Sequence, residues 1–191
     1  MDKEKVNEIK SELKSKGVIS ESGVEITEKS SIDALFSRGY GVKEETFLLL
    51  SFYEALYLNN KENLVVYSTK NKKLDFQDIL RYYEKNNPNG WANYLVYRDL
   101  RSRGYVVRAG FGDGIDFRIY ERGSYGKNVA STLILCTQEG KPLSIEFLSK
   151  VIKQCQSQKK ALVLAVMNRR GEIVYYSVSK LTFTNEGNNN A

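Results

Sequence analysis

The run NNPNG at Asn86–Gly90 is the strongest structural break in this sequence. Proline removes a backbone donor and the Asn and Gly residues around it favour turns, so neither a helix nor a strand is expected to continue through it. The break lies near the middle of 191 residues, which is enough chain for two small domains. We therefore predict an N-terminal domain over residues 1–88, a C-terminal domain over residues 91–184 and a flexible tail over residues 185–191.

The patterns before the break predict a small α+β domain. Val6, Ile9 and Leu13 have helical spacing, which predicts an amphipathic first helix from Met1 to about Lys16. The elements predicted after it are a strand in GVEIT, a helix in SSIDALFS with Ser30 or Ser31 as N-cap and Gly39 as its stop, a buried helix over Phe47–Leu58, a strand in NLVVY, and a helix in DFQDILRYYEK capped by Asp75.

The patterns after the break predict a C-terminal α/β domain with a mixed central sheet, so the fold class is α+β. The predicted elements are a helix over Trp91–Arg103, strands in YVVRAG, DFRIYE and STLILC, a helix in SIEFLSKVIKQCQSQ that begins after Ser144, and strands in ALVLAVM and EIVYYSVSKLTF. The last strand is apolar and aromatic, and an exposed edge of this kind tends to pair with another chain.

The composition favours a polyanionic partner. The chain carries a formal charge of +6 and 13 tyrosines, and a basic, aromatic surface suits RNA. The alternative is that most tyrosines are amphipathic residues at the edge of the core. No apolar run approaches the roughly 20 residues that span a bilayer, and Cys136 and Cys155 lack metal-ligand spacing, so we expect a cytoplasmic protein with reduced thiols and no membrane contact.

Residue patterns exclude several kinds of chemistry. GFGDG at residues 110–114 runs between two strands rather than into a helix, so it is no nucleotide loop. Asp113, Asp116 and Glu121 surround one strand, but no E-x-K follows, and we read them as turn formers and solvated strand ends rather than metal ligands. We therefore expect no metal and no other cofactor.

Metal-free RNA cleavage needs a base, an acid and a cation near the phosphorus. Tyr120, at the end of its strand, fits the base, and Lys160, at the head of ALVLAV, fits the cation. The chain contains no histidine, and no acid is evident between them.

The residues YLVYRDLRSRGYVVRAGFGDGIDFRIYERG and SQKKALVLAVMNRRGEIVYY resemble the C-terminal domain of the archaeal tRNA-splicing (tRNA-intron) endonucleases, and GYGVKEETFLLLSFYEALYLNN is similar to their N-terminal domain. The resemblance implies a restriction-endonuclease-like C-terminal fold and metal-free cleavage by a Tyr, a His and a Lys. Tyr120 and Lys160 match two of these positions. The expected histidine position falls on Val129, with Lys127, Asn128 and Ala130 as neighbours.

The missing histidine makes the chain resemble the structural subunit of the heterotetrameric members, which assemble two plus two with a catalytic subunit on the bulge-helix-bulge of pre-tRNA. On this interpretation the chain is not an enzyme on its own. The resemblance also implies pairing of the terminal strands of two subunits. The interface residues it indicates are Glu172, Ile173, Val174, Tyr175, Tyr176, Val178, Leu181 and Phe183. The turn Asn168–Glu172 is not clearly acidic, which leaves open whether this subunit donates or receives a docking loop.

Two other functions fit the sequence: a stand-alone divergent metal-independent RNase that uses Tyr120 and Lys160, and a non-enzymatic RNA-binding module. RNA contacts are expected at basic side chains near the predicted loop, although a solvated helix or strand face accounts for many of them. The candidates are Arg98, Arg101, Arg103, Arg108, Arg122 and Lys127.

Overall fold

The computed structural model describes residues 14–112 and 114–179, which form five helices and two mixed sheets. The predicted α+β fold class is confirmed. The first sheet has the strand order β3-β4-β2-β1-β5-β6, in which β1 and β5 run parallel. The elements of this half are β1 (Ser15–Ile19), β2 (Val24–Ile26), α1 (Lys29–Ser37), β3 (Val42–Lys43), β4 (Leu48–Leu50), α2 (Phe52–Asn60), β5 (Leu64–Tyr67), β6 (Lys73–Leu74) and α3 (Phe76–Asn86).

The second sheet has the order β11-β10-β9-β8-β7, with β9 and β10 parallel and the other pairs antiparallel. Residues of one face, such as Ile134 and Ala165, join the main core, and those of the other face, such as Leu133 and Leu162, pack with α5. The elements of this half are α4 (Gly90–Ser102), β7 (Val106–Ala109), β8 (Phe117–Tyr120), β9 (Thr132–Gln138), α5 (Ile145–Ser157), β10 (Ala161–Met167) and β11 (Ile173–Val178).

Two predicted helix starts are confirmed by their caps. The Asp75 carboxylate accepts a hydrogen bond from the backbone N–H of Asp78 at 2.7 Å, and the Ser144 hydroxyl accepts one from that of Phe147 at 3.1 Å. Gly39 follows the C-cap of α1 with φ +76°, the left-handed conformation that favours glycine.

Two predictions near the start of the described chain were wrong, and a third follows below. Most of the predicted first helix lies outside the described residues, but Ser15 and Lys16 belong to β1, which pairs with β5. The N-cap of α1 is Glu28 rather than Ser30 or Ser31, because the helix begins at Lys29 and the Ser31 hydroxyl donates to the Glu28 carboxylate at 2.7 Å.

The apolar run Phe47–Leu58 is a strand followed by a helix. Leu48 and Leu50 in β4 are fully buried, and the strand pairs with both β2 and β3. The helix starts only at Phe52, because the Glu54 carboxylate accepts hydrogen bonds from the backbone N–H and the hydroxyl of Ser51, at 3.0 and 2.7 Å. Ser51 therefore separates the strand from the helix as the N-cap of α2.

One hydrophobic core runs through both halves of the molecule. The ring of Tyr53 in α2 lies 4.8 Å from that of Tyr97 in α4 and 5.0 Å from that of Phe117 in β8. Burial raises the pKa of Tyr53 and of Tyr97 above the usual tyrosine range. The helices α3 and α4 meet at the predicted break, and the division into two domains there remains a prediction.

Candidate functional site

Tyr120 and Lys160 stand at the same end of the second sheet, on either side of β9. β8 pairs with β9 so that Ile119 lies opposite Thr132, and β10 pairs with β9 so that Ala161 does. Continuing both registers by one residue places Ser131 between Tyr120 and Lys160, and the backbone N–H of Ala161 donates to the Ser131 carbonyl at 3.0 Å. With strands about 4.8 Å apart, the Cα atoms of the Tyr and the Lys are about 10 Å apart.

Strand alternation puts these side chains on one face. Leu133 and Leu162 belong to the cluster that packs with α5, and residues two positions earlier point to the same side of a strand. Lys160 and Ser131 therefore share that face at the end of their strands, where Ser131 is exposed and Lys160 partly exposed. Ser131 and Lys160 thus bring a hydroxyl and an ammonium group, two kinds of group that bind phosphate oxygens, to one face of the sheet.

The loop after Tyr120 folds back on itself and on the first half. Its turns are held by hydrogen bonds from the N–H groups of Lys127 and Asn128 to the Ser124 carbonyl. The Tyr125 ring packs edge to face on Tyr120, with ring centres 5.2 Å apart, and lies so close to Gly39 that an added methyl group there would meet it at 3.3 Å. The loop is thus fixed between the sheet and the turn after α1.

The predicted histidine position and its neighbours differ sharply in exposure. Val129 is 83% exposed, whereas Ala130 is 3% exposed. The ammonium group of Lys160 donates a hydrogen bond to the Ala130 carbonyl. Ala130, one of the neighbours of the predicted histidine position, therefore contacts Lys160 directly, a relation that sequence spacing alone did not reveal.

Four of the six candidate RNA contacts have exposed side chains. Arg122 donates twice to the Arg103 carbonyl, at 2.8 and 3.2 Å, Arg98 lies 5.8 Å from the centre of the Tyr94 ring, and Lys127 is exposed in the loop. These three remain predicted RNA contacts. Arg103 is exposed but forms a 2.8 Å ion pair with Asp99.

Arg101 and Arg108 are used inside the protein instead. Both hold the segment Arg38–Gly41, which we call the RGYG turn. Arg108 donates to the carbonyls of Gly39 and Gly41, at 3.1 and 2.6 Å, and pairs with the buried Glu54 carboxylate at 3.4 Å. Arg101 stacks 3.9 Å from the centre of the Tyr40 ring and donates to the Arg38 carbonyl. We drop both from the set of RNA contacts because their guanidinium groups clamp the two halves together.

The predicted interface strand, β11, is an edge of the second sheet as the structure describes it. Val174 and Tyr176 are 46% and 53% exposed. Ile173 and Tyr175 face the core, and the Tyr175 hydroxyl donates to the Asp99 carboxylate at 2.7 Å. Val178 packs towards α5, and Leu181 and Phe183 lie outside the described residues.

The acidic side chain of the turn before β11 finds its partners within the turn. The Glu172 carboxylate accepts a hydrogen bond from the Asn168 side chain at 2.7 Å and lies 3.5 Å from the Arg170 guanidinium. The single negative charge of this turn is therefore paired with Arg170 in an exposed ion pair.

The sequence suggested that Asp116 is a turn former or a solvated strand end, but the structure shows otherwise. Asp116 is partly buried, which raises the pKa of its carboxyl group, although hydrogen bonds from Cys136 and Asn93 oppose this shift. The thiol groups of Cys136 and Cys155 are free and buried. Within residues 14–112 and 114–179, no group of three or more His, Cys, Asp or Glu is placed to hold a metal ion, and no helix is long and apolar enough to cross a membrane.

Comparison with known proteins matches both halves of the chain. The family model "tRNA intron endonuclease, N-terminal domain" matches residues 15–80, and "tRNA intron endonuclease, catalytic C-terminal domain" matches residues 90–175. The chain is 35% identical over 163 residues to the tRNA-splicing endonuclease of Methanococcus vannielii, covering 85% of this chain and 92% of that protein.

Two further relatives show how the match varies with the length of the relative. The tRNA-splicing endonuclease of Pyrococcus horikoshii is 31% identical, with 82% of this chain and 91% of that protein covered. That of Methanococcoides burtonii is also 31% identical, with 81% of this chain but only 44% of the relative covered.

Proposed function

Because the chain belongs to the tRNA intron endonuclease family, we propose that it serves as the structural subunit of a tRNA-splicing endonuclease. In this role it assembles with a catalytic subunit, two copies of each, and helps to hold pre-tRNA while the partner cuts the intron ends. The work takes place in the cytoplasm and needs no cofactor from this chain.

The observation that carries the proposal is the absence of histidine from the whole chain. The side chains of Lys127–Ala130 include no group that titrates near neutral pH. A missing general acid costs about 10²–10⁴-fold in rate. Tyr120 and Lys160 keep their places at one end of the sheet, but a base and a cation without an acid leave the cleavage incomplete.

The surface of β11 supports assembly. An edge strand offers unpaired backbone groups, and here it also exposes Val174 and Tyr176. Since Arg170 pairs with the Glu172 carboxylate and the turn carries two arginines against this one glutamate, the turn before β11 is poorly suited to act as an acidic docking loop. This supports a subunit that receives a docking loop from its partner rather than donating one.

The test is cleavage of a pre-tRNA with a bulge-helix-bulge by the purified chain, by a catalytic partner and by their mixture. We expect the chain alone to be inactive and the mixture to cut at both splice sites. Tyr120→Phe should leave the mixture fully active, as should the control Tyr125→Phe. Correct cleavage by the chain alone would refute the structural role.

A second candidate is a stand-alone, metal-independent RNase, which is favoured by the alignment of Tyr120, Ser131 and Lys160 across three adjacent strands. This candidate requires the chain alone to cut RNA and Tyr120→Phe to abolish the cut. The same assay therefore separates the two functions without a further reagent.

A further inference from the structure

A small pocket lies at the other end of β9 from Tyr120 and Lys160. It has a volume of about 220 Å³. Its apolar walls are Leu135, Leu143 and Phe147. Gly114 keeps one side open: its φ is +81°, and a Cβ atom there would come within 2.5 Å of the Phe147 ring. The polar residues of the lining are Asn89, Asp116, Cys136, Thr137 and Lys141.

The inner polar groups of the pocket are an acceptor, the Asp116 carboxylate, and a hydroxyl that both donates and accepts, that of Thr137, and both have spare capacity. One Asp116 oxygen accepts from the Asn93 side chain at 3.2 Å, and the other accepts from the backbone N–H of Cys136 at 2.7 Å. A carboxylate offers about four acceptor positions, and these two donors leave about two that, within the described part of the chain, only the weakly donating Cys136 thiol and the backbone N–H of Asp116 itself approach. Thr137 is 9% exposed, and its hydroxyl is one of the buried groups that have no hydrogen-bond partner among the described residues.

A hydrogen-bond donor stands at the rim. The Lys141 ammonium group donates to the Asn89 side-chain oxygen at 2.8 Å, and an ammonium group has three N–H bonds. The exposed Lys141 therefore keeps donors for a second acceptor. Across the pocket, a ligand meets a carboxylate inside, a cation at the mouth and an aromatic ring at the wall.

We propose that this pocket binds a guanine base of the RNA. The Watson–Crick edge of guanine carries two adjacent donors, N1–H and the 2-amino group, which match the free positions of one carboxylate. Its O6 and N7 are acceptors for an ammonium group. Adenine and cytosine each place a ring-nitrogen acceptor beside their amino group, and uracil flanks its single N–H with two carbonyls, so each would turn a lone pair towards Asp116.

The size of the pocket limits the ligand to the base. Sites for drug-sized ligands usually measure about 300–1,000 Å³, and 220 Å³ leaves the ribose and phosphate outside. Phe147 offers a ring against which a base can stack. The guanine therefore has to be unpaired and turned out of a helix, as in a loop or bulge.

This site lies beyond the proposed function, because Asp116 meets β9 at Cys136, five residue steps of about 3.3 Å, or about 17 Å, from Ser131 at the Tyr120 end. It would let the chain fix the position of an RNA without contributing to the cut.

The test is binding of the four nucleoside 5′-monophosphates to the full chain, measured by calorimetry and by chemical shifts of the pocket residues. A good bidentate contact discriminates by about 5- to 150-fold, so we expect guanosine monophosphate to bind at least tenfold tighter than the other three. Equal binding of all four, or no saturable binding of guanosine monophosphate at millimolar concentration, would overturn the inference.

The variants locate the contact. Asp116→Asn should remove the preference for guanine, because the amide replaces one acceptor with a donor. Lys141→Gln should weaken guanosine monophosphate binding at least threefold, whereas Lys153→Gln, an exposed lysine on α5, should not. If Asp116→Asn fails to fold, Thr137→Val provides the second variant, and its failure to alter binding would count against the site.

The same preparations separate this inference from the proposed function. A chain that supports splicing by its partner but shows no guanine preference refutes the pocket alone. A chain that binds guanine but cuts pre-tRNA without a partner refutes the structural role alone.

Discussion

Replacing Arg108 by leucine tests how the two halves of the molecule are joined. The Arg108 and Glu54 side chains are only 12% and 4% exposed, so the substitution would leave a carboxylate buried without its cation. Removing one partner of a buried ion pair costs about 3–5 kcal/mol. Glu54 keeps donors from the backbone of Gly41 and from Ser51, so we expect the lower value, a loss of about 3 kcal/mol in the free energy of unfolding.

Urea unfolding followed by circular dichroism measures this loss. With a slope of about 1–3 kcal/mol per molar urea, the Arg108→Leu midpoint should fall by roughly 1–3 M. The matched control is Arg103→Leu, which breaks an ion pair with Asp99 whose partners are 56% and 29% exposed. Exposed pairs are worth about 0–1 kcal/mol, so the control should shift the midpoint far less.

The Glu54 carboxylate that loses its cation in Arg108→Leu can itself be neutralised. Adding Glu54→Gln to Arg108→Leu neutralises the carboxylate, and the double variant should unfold at a higher urea concentration than Arg108→Leu alone. Equal midpoints for Arg108→Leu and Arg103→Leu, or no recovery in the double variant, would refute the reasoning that a buried charge pair holds the RGYG turn.

Further measurements test other features. Gly39→Ala should lower the free energy of unfolding by about 1–3 kcal/mol, the cost of a left-handed non-glycine residue, and by more than Gly126→Ala, because an added Cβ atom meets Val106 at 2.5 Å in the first case and nothing within 4 Å in the second. Asp75→Ala should cost about 1 kcal/mol through the lost N-cap, and an unchanged urea midpoint would contradict this. Tyr176→Glu should shift assemblies to smaller species in light scattering without altering the stability of the monomer; an unchanged mass would argue against β11 as the interface.

Local signals in the sequence predicted the elements that depend on local chemistry. Asp75 and Ser144 mark helix starts because an N-cap needs only a short acceptor side chain at one position. The three leucines Leu48–Leu50 form a strand where a helix was predicted, since a strand with neighbours on both sides and a buried helix show the same apolar run.

Contacts between residues that are distant in the sequence gave no comparable local signal. Arg108 looked like other basic residues near a loop, and only the folded chain brings it to Glu54, 54 residues earlier. Thr137 directly follows the predicted strand STLILC, and its hydroxyl, which has no hydrogen-bond partner among the described residues, becomes a feature only when Gly114, Asp116 and Phe147 of α5 line a pocket beside it. The roles of such residues depend on tertiary neighbours, which a single sequence does not encode as a pattern.

The core that continues from Tyr53 to Tyr97 and Phe117 has a consequence for any attempt to divide this protein. Cut at Asn86–Gly90, each piece would expose an aromatic surface that fits the other piece. Two separately produced fragments should therefore recognise each other without a covalent link. A break at Asn86–Gly90 would therefore give two complementary fragments, suited to a split reporter, rather than two independent proteins.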